Sequence, residues 1–348
     1  MSYIDSYARR KVSRRRALST AGKAAVGAAA VVVIGGVAYT VSQPAATPQT
    51  VTKTAQGQTV TTTAQGQTVT QTLTKTIEDQ ALKGGTIVIS QPNGPVTADP
   101  VVAWDKTIDG EFVQQFFQSL IGFENGPTPK ISPLLAQTYG ISRDGLTYTF
   151  KIRDGVEFDN GDPLNSYVFW YSIYRCAVIA HGPSFLIPPD LYEGAGITAD
   201  ILNQFNTTDN IPPSGLKSTM SDPNLPIHTP NENEIVFRLE APFAPFEAAM
   251  TQVTFAAVSP NVVSSHGGVV EGTPNEWMTL NAVSTGPYKL TKFIPDIEYV
   301  LEKNENYFGG ANNMHPTPNV DKIIVKVVPE PLARLQDVSR GTVDITFL

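Results

Sequence analysis

Residues 144–163 have the sequence DGLTYTFKIRDGVEFDNGDP, in which one alternating run lies between turn signals. From Leu146 to Ile152, apolar or aromatic side chains alternate with Thr or Lys, the period of two expected of a half-buried strand. The Asp-Gly pairs and the segment Asn160–Pro163 are typical of turns. The aromatic-rich segment Tyr167–Arg175 then predicts a helix. Together these patterns indicate a strand-and-helix unit of a mixed α/β (α+β) domain.

Length and composition are those of an ordinary globular chain. The 348 residues are enough for two or more domains with their own cores, and 41% of them are hydrophobic. A formal net charge of -7 argues against nucleic acid as a partner. The single cysteine, Cys176, has no partner for an internal disulfide and lies in the apolar helical segment. We therefore expect it to be a buried structural thiol.

The N-terminal region has the pattern of an export signal or membrane anchor. Residues 1–23 are rich in Arg and Lys, and residues 24–42 are almost entirely apolar and uncharged. Such a run is just long enough to cross a bilayer as a helix. Basic residues before it place the N-terminus in the cytoplasm and the rest of the chain outside. The sequence therefore predicts a globular part at the cell surface, anchored in the cytoplasmic membrane by the helix 24–42.

Three kinds of signal remain open for this region. An uncleaved signal anchor is the simplest. The segment Ser13–Leu18 resembles a twin-arginine export signal, although Ala17 stands where that motif prefers Phe. The pair Lys23–Ala24 before the apolar run resembles archaeal pilin-like signals, which would suit an archaeal source. All three predict export.

Residues 43–82 form a Thr-rich segment of a different character. Within residues 45–77 there are 13 threonines, and the octapeptide TAQGQTVT occurs at 54–61 and again at 63–70. Large apolar side chains are too few here to form a core. We interpret the segment as an extended, O-glycosylated stalk, with a β-aggregating segment as the alternative. A sequon for N-glycosylation begins at Asn206.

Further elements follow the same kinds of pattern. Strands are predicted within Lys83–Ser90 and at Glu234–Leu239 and Val320–Val327, and helical apolar spacing is found over Phe112–Leu120. The glycine pair Gly309–Gly310 indicates a turn.

Several sequence blocks, in order along residues 84–348, resemble those of one known family. The blocks are Gly84–Ile87, Asp99–Pro100, the opening stretch 144–163, Ala241–Phe246, Ser284–Leu290, Val300–Gly310 and Gly341–Ile345. They are similar to the motifs of family 5 extracellular solute-binding proteins, the oligopeptide and dipeptide receptors of ABC importers. Each block alone would be a weak signal, whereas the ordered set is specific.

The resemblance implies a fold and a function. Members have two α/β lobes that close on a ligand about a hinge. Residues 84–348 would form a periplasmic-binding-protein type II-like first lobe, with an inserted α+β subdomain at about 121–180. The second lobe of the family would follow Leu348, so the chain looks truncated relative to it. The implied function is capture of oligopeptides or another small solute, such as an oligosaccharide, for delivery to ABC permease subunits.

The resemblance also implies a monomer without enzymatic activity or cofactor. The alternative is a membrane-anchored structural or adhesive protein of the cell surface that keeps a half-receptor fold. A lone lobe is expected to bind ligand weakly, because the family encloses its ligand between two lobes.

Aromatic residues are the best candidates for ligand contacts. Trp104 and Asp105 follow the Asp99–Pro100 block in a region that approaches the cleft in this family, and Tyr171 lies in the aromatic helix. The helix aromatics have a second interpretation as core residues. The four histidines lack the spacing of a metal site, and the carboxylates near the opening stretch lie at turns. We therefore predict ligand contacts at Trp104, Asp105 and Tyr171, and neither catalytic nor metal-binding residues.

Overall fold

The structure is a computed structural model. It describes residues 84–347 except 104–106, 126, 207–208 and 313, and the backbone of five N-terminal strands. The chain divides into a compact unit of Ser6–Leu82 and another that contains Lys83–Leu348.

The described N-terminal residues are strands. They are β1 (Val31–Ile34), β2 (Val37–Thr40), β3 (Gln49–Ala55), β4 (Gln58–Thr61) and β5 (Gln67–Val69). Strands β1 and β2 pair antiparallel, while β3 pairs antiparallel with β4 and parallel with β5.

These strands differ from what the sequence predicted. Residues 31–34 and 37–40 belong to the predicted helix 24–42 but form a two-stranded hairpin. The rest of that run, and residues 1–23, lie outside the described residues, so the anchor stays a prediction. In the described part of the chain, no helix is long and apolar enough to cross a membrane. The described part of the Thr-rich segment pairs into a small sheet, because alternating Thr and Val favour strands even without a core.

The larger unit contains eight α-helices and eleven strands among its described residues. In chain order they are β6 (Thr86–Gln91), α1 (Thr107–Val113), β7 (Ile121–Phe123), β8 (Ile131–Pro133), β9 (Ala136–Ile141), β10 (Thr147–Ile152), α2 (Ser166–Ile179), α3 (Ala199–Leu202), α4 (Ser214–Met220), β11 (Ile227–Asn231), β12 (Glu234–Arg238), α5 (Phe246–Met250), α6 (Pro260–Ser265), α7 (Glu276–Leu280), β13 (Tyr288–Ile294), β14 (Glu298–Lys303), β15 (Lys322–Val327), α8 (Pro331–Arg340) and β16 (Ile345–Thr346). Short 3₁₀ helices cover Gly182–Leu186, Pro189–Leu191 and Val253–Phe255.

A five-stranded mixed sheet combines strands from the beginning and the end of this unit's sequence. Its strand order is β13-β14-β15-β6-β16. Strand β6 runs parallel to both of its neighbours, while β13, β14 and β15 pair antiparallel. Because β15, β6 and β16 point the same way, their carboxyl ends meet at one edge of the sheet.

A four-stranded antiparallel sheet, in the order β11-β12-β10-β9, contains the opening stretch. The predicted alternation is confirmed, since Tyr148, Phe150 and Ile152 of β10 are buried. Phe150 lies opposite Tyr139 on one side and Ile235 on the other. The period of two in the sequence therefore identifies the face of β10 that enters the core.

Helix α2 covers this sheet and is longer than the predicted segment. Twelve of its 14 residues are buried. Asn165 caps the N-terminus by accepting a hydrogen bond from the Val168 N–H, and Ala180 ends the helix in the left-handed conformation. The Trp170 indole donates to the Ile227 carbonyl oxygen at 3.0 Å, which fixes the helix to β11.

Cys176 is buried in α2, as predicted. Its sulfur lies 3.2 Å from the Thr254 hydroxyl. Burial raises the pKa of the thiol to about 11. The thiol is therefore protonated and unreactive in the folded protein at neutral pH.

The predicted helix over Phe112–Leu120 is mostly wrong, because α1 ends at Val113. Beyond it, the Phe116 carbonyl accepts from the Gly286 N–H and the Gln118 carbonyl from the Ala257 N–H. These long-range hydrogen bonds replace the helical ones that the apolar spacing suggested.

The sheet that contains the opening stretch also draws on residues beyond the predicted subdomain at about 121–180, whose bounds stay a prediction. Strands β9 and β10 lie inside residues 121–180, but their sheet takes its other two strands from Ile227–Asn231 and Glu234–Arg238. One of these two strands, Ile227–Asn231, lies within the segment 181–231, which the sequence presented as loop-like.

Candidate functional site

A cavity of about 590 Å³ lies on one face of the five-stranded sheet. Its floor contains Ile89, Val325 and Tyr299, which are register neighbours on β6, β15 and β14. At the edge of the sheet it is bordered by Gln91 at the end of β6 and Phe347 just after β16. Open α/β sheets bind ligands outside the carboxyl ends of their parallel strands. This cavity reaches that edge of the sheet at Gln91 and Phe347.

The short strand β16 is held at the cavity by side chains as well as by pairing. The Asp344 carboxylate accepts from the Val88 N–H at 3.1 Å, and the Asp344 N–H donates to the Val88 carbonyl at 2.8 Å. Two residues further along both strands, the Ser90 hydroxyl donates to the Thr346 hydroxyl at 2.8 Å. The Gly341–Ile345 block therefore positions the border of the cavity.

A chain of hydrogen bonds runs through a second wall. Thr285 donates to the Gln118 amide oxygen at 3.3 Å, and the Gln118 amide nitrogen donates to the Tyr307 hydroxyl at 3.1 Å. The Tyr307 hydroxyl in turn donates to the His315 carbonyl. Gln118 and His315 line the cavity. Two of the quoted sequence blocks, Ser284–Leu290 and Val300–Gly310, thus meet in one polar network.

The same two blocks contain positions that accept only glycine. A Cβ on Gly286 would lie 2.3 Å from the Phe116 carbonyl oxygen. Gly310, at φ +77°, would place a Cβ 2.3 Å from the carbonyl oxygens of Met314 and His315. Gly309 also has positive φ, although the turn nearest to this glycine pair is assigned at residues 305–306 and not at the pair itself. Backbone segments therefore approach each other closely around the cavity.

The loop that follows β6 is fixed by a buried ion pair. Arg175 of α2 donates to both Asp99 carboxylate oxygens, at 2.9 and 2.5 Å, and both side chains are 0% exposed. Burial alone would lower the pKa of the Arg175 guanidinium, but the Asp99 carboxylate beside it raises this pKa instead. The pair joins the Asp99–Pro100 block directly to the four-stranded-sheet region.

The structure tests the predicted ligand contacts unevenly. Trp104 and Asp105 lie outside the described residues. Tyr171 is fully buried in α2 and its ring packs edge-on against Phe205, with ring centroids 5.6 Å apart. Burial also raises the pKa of the Tyr171 phenol. Tyr171 is therefore a core residue in this structure and presents no surface to a ligand.

The structure describes only part of the predicted glycosylation sequon. The Asn206 side chain is exposed, whereas Thr207 and Thr208 lie outside the described residues. Occupancy of this sequon stays a prediction.

The carboxylates of the opening stretch have structural partners. Asp162 accepts from the Ser259 hydroxyl at 2.7 Å and from the Asn261 amide at 3.2 Å. Burial raises the pKa of Asp159 to about 6, although the Ser284 N–H, at 3.3 Å, stabilises its charged form. Both groups tie turns to neighbouring segments, which agrees with their interpretation as turn residues. Among the described residues, no group of His, Cys, Asp or Glu side chains is arranged to hold a metal ion.

Sequence reasoning missed the polar side chains of the cavity. Gln91, Gln118 and Glu111 line it, and none belongs to a pattern that indicates binding. One signal was present for Gln91, which ends the first strand of a sheet with parallel neighbours. Gln118 lies inside an apolar run that suggested a helix, and this pattern hid its role.

Comparison with known proteins identifies the family. The model for bacterial extracellular solute-binding proteins, family 5 (middle part), matches residues 130–348. The chain belongs to this family. The match contains the opening stretch and the blocks of the polar network, so the resemblance noted from the sequence is confirmed.

Family 5 relatives include proteins with named ligands. A probable D,D-dipeptide-binding periplasmic protein, DdpA of Escherichia coli (strain K12), is 24% identical over 262 residues, which cover 74% of this chain and 42% of that protein. The glutathione-binding protein GsiB of Escherichia coli O1:K1 / APEC is 27% identical over 261 residues, covering 75% of this chain and 42% of GsiB.

A solved structure shares the fold. The ABC transporter-associated periplasmic binding protein DppA from Helicobacter pylori, in complex with the peptide STSA, superposes with a TM-score of 0.55 at 22% identity. The superposition covers 77% of this chain and 47% of DppA. This family 5 chain therefore spans about two fifths of the length of the curated relatives that it matches.

Proposed function

We propose that this chain provides one lobe of an extracytoplasmic receptor that captures a small solute and delivers it to the permease of an ABC importer. The observation that carries the proposal is the cavity at the carboxyl ends of β6 and β16, in a chain of family 5. Bound solute would lie against the floor of Ile89, Val325 and Tyr299. No covalent step is required of such a receptor.

Peptides are the ligand class that the cavity suits best. The Gln91 amide can both donate to and accept from a peptide backbone. The Gln118 amide keeps one N–H and one oxygen lone pair beyond its bonds to Tyr307 and Thr285. Glu111 adds a carboxylate that can pair with an ammonium group. The names of the relatives, which bind a D,D-dipeptide, glutathione and a tetrapeptide, support this class. An oligosaccharide or another small solute remains the alternative ligand.

We further propose that Trp104 and Asp105 contribute to this site. They follow the Asp99–Pro100 block, whose position is fixed by the buried pair with Arg175. A stacking ring and a carboxylate beside the amide-lined cavity would extend it in the way peptide ligands require. The proposed location of the globular part is outside the cytoplasmic membrane, with residues 24–42 as its anchor.

The test is saturation-transfer difference NMR on the full chain, with the tetrapeptide STSA and glutathione as probes. We expect signals from at least one probe and a Kd weaker than micromolar, because one lobe covers only part of a ligand. The variant Gln91→Ala should reduce the signal at least threefold, because it removes an amide from the cavity border. The matched control is Gln204→Ala, which alters an exposed glutamine outside the cavity.

Two results would overturn the proposal. One is the absence of signal from every peptide probe, which is also what the structural or adhesive alternative predicts. The other is an equal loss of signal in Gln91→Ala and Gln204→Ala, which would place binding away from the cavity.

A further inference from the structure

A second concave surface lies outside the cavity described above. It is a groove of about 1010 Å³ between the 3₁₀ segments around residues 185–193 and the segment 240–252. It shares no lining residue with the cavity on the five-stranded sheet. The groove is therefore separate from the proposed receptor site.

One wall of the groove is an exposed apolar loop. The five residues Ala241–Pro245 are all apolar, and all are exposed. Phe243 belongs to this loop, and across the groove the side chain of Phe185 is 64% exposed. Runs of exposed apolar residues are avoided in soluble proteins unless they contact a partner. The groove thus has the composition of a docking surface.

The charge of the groove has a single sign. Asp190, Glu193 and Glu240 line it, and no Lys, Arg or His does. None of the three takes part in an ion pair within the part of the chain that the structure describes. Asp190 also accepts from the Glu240 N–H at 2.6 Å, which holds the two walls together. The carboxylates are therefore available to cations of an occupant.

Four prolines in the walls also favour an occupant that is rich in hydrogen-bond donors. Pro188, Pro189, Pro242 and Pro245 line the groove and lack a backbone N–H. The walls consequently offer carbonyl and carboxylate oxygens but few backbone donors. Ammonium and guanidinium groups are donors without acceptors, so they match these walls.

We propose that the groove docks a segment of a partner protein in which Lys or Arg alternates with aliphatic side chains. The aliphatic groups contact Phe185 and Phe243, and the cations contact Asp190, Glu193 and Glu240. A second copy of this chain docked groove to groove is a poorer occupant, because it would bring the same three carboxylates against the first set. An anionic membrane surface is disfavoured for the same reason.

The experiment measures fluorescence anisotropy of labelled octapeptides with the full chain. The probes are an alternating Leu-Lys peptide and two matched peptides in which Glu or Ser replaces every Lys. We expect the Leu-Lys peptide to bind at least about tenfold more tightly than either control, and its Kd to rise as salt is increased from about 50 to about 300 mM. Similar Kd values for all three peptides would contradict the charge argument.

Variants locate the binding. Phe185→Ala and the double variant Glu193→Gln/Glu240→Gln should each weaken Leu-Lys binding by about fivefold or more. Matched controls are Leu332→Ala, an exposed apolar side chain on α8, and Glu271→Gln, an exposed carboxylate, neither of which lines the groove. Binding that survives all groove substitutions would overturn the proposal.

Two further measurements address the other occupants. Flotation with phosphatidylcholine vesicles tests for a membrane surface, and sedimentation velocity tests for a second copy. Phe185-dependent vesicle binding, or Phe185-dependent dimers, without Leu-Lys binding would overturn the proposal in favour of that occupant. We expect neither.

Discussion

The two longest described helices are attached to the protein in opposite ways. Helix α2 buries 12 of its 14 residues, whereas helix α8 buries one residue, Arg334, among ten. On α8 the side chain of Leu332 is 65% exposed. One helix is thus a core element, and the other lies on the surface.

Helix α8 is attached to the protein by hydrogen bonds and not by burial of apolar surface area. The Arg334 guanidinium donates to the carbonyls of Val328 and Pro329, each at 2.6 Å, and to that of Phe347 at 2.9 Å. Phe347 borders the cavity on the five-stranded sheet. Helices with few buried apolar contacts open at low free energy. We therefore expect α2 to support global stability and α8 to open at a lower free energy than α2.

The largest effect is expected from breaking the ion pair that ties α2 to the loop after β6. Asp99→Ala leaves the fully buried Arg175 charge without its partner, which should lower the free energy of unfolding by about 3–5 kcal/mol. Urea unfolding followed by circular dichroism measures it. The control is Glu298→Ala, whose partner Lys292 is 49% exposed, and which should cost less than about 1 kcal/mol. Equal losses in both variants would show that burial of the Asp99–Arg175 ion pair does not determine how much stability is lost when it is broken.

The next prediction contrasts apolar side chains on the two helices. Ile173→Ala in α2 removes a buried side chain and should destabilise the protein by about 2–4 kcal/mol. Leu332→Ala in α8 should change the free energy of unfolding by less than about 0.5 kcal/mol, because the side chain is already in water. The same urea titration applies to both. A large loss in Leu332→Ala would mean that α8 is packed against something that its exposure in this structure does not show.

The smallest effect concerns Arg334, and it should remain local. Arg334→Met keeps an apolar stem but leaves three carbonyls without their donor, at a cost of about 1–2 kcal/mol. Hydrogen exchange should become faster in α8 and at residues 345–347, while exchange in α2 is unchanged. Arg340→Met, at an exposed position of the same helix, is the control and should not alter exchange. Faster hydrogen exchange throughout the protein would contradict the prediction that α8 opens independently of α2.

Local patterns were sufficient to predict strand β10 of the four-stranded sheet and helix α2, which covers that sheet. The alternation from Leu146 to Ile152 identified β10 and its buried face, because one face of an antiparallel strand meets a core. The aromatic segment after it predicted α2, although the helix extends to Ile179. Buried elements leave such traces because apolar side chains repeat with the period of the element.

The cavity and its supports were much harder to predict. The helix expected over Phe112–Leu120 fails because Gly286 and Ala257, far along the chain, take the carbonyls that a helix would use. The pairing of Asp99 with Arg175 joins residues 76 positions apart, which no local pattern records. The predicted contact at Tyr171 failed for a related reason. Its ring belongs to a helix buried on nearly all sides, and composition alone does not distinguish such a ring from one that faces a ligand.

The single thiol is a built-in probe for opening of the protein core. Because Cys176 is buried beside Thr254 with its pKa raised to about 11, a thiol reagent can modify it only when the core around α2 opens. The chain has no other cysteine, so each modification marks one opening event of this core. At reagent concentrations high enough that the labelling rate no longer depends on them, this rate equals the opening rate of the core, and its reciprocal is the lifetime of the closed state. Any ligand or partner that stabilises the core would lengthen that lifetime.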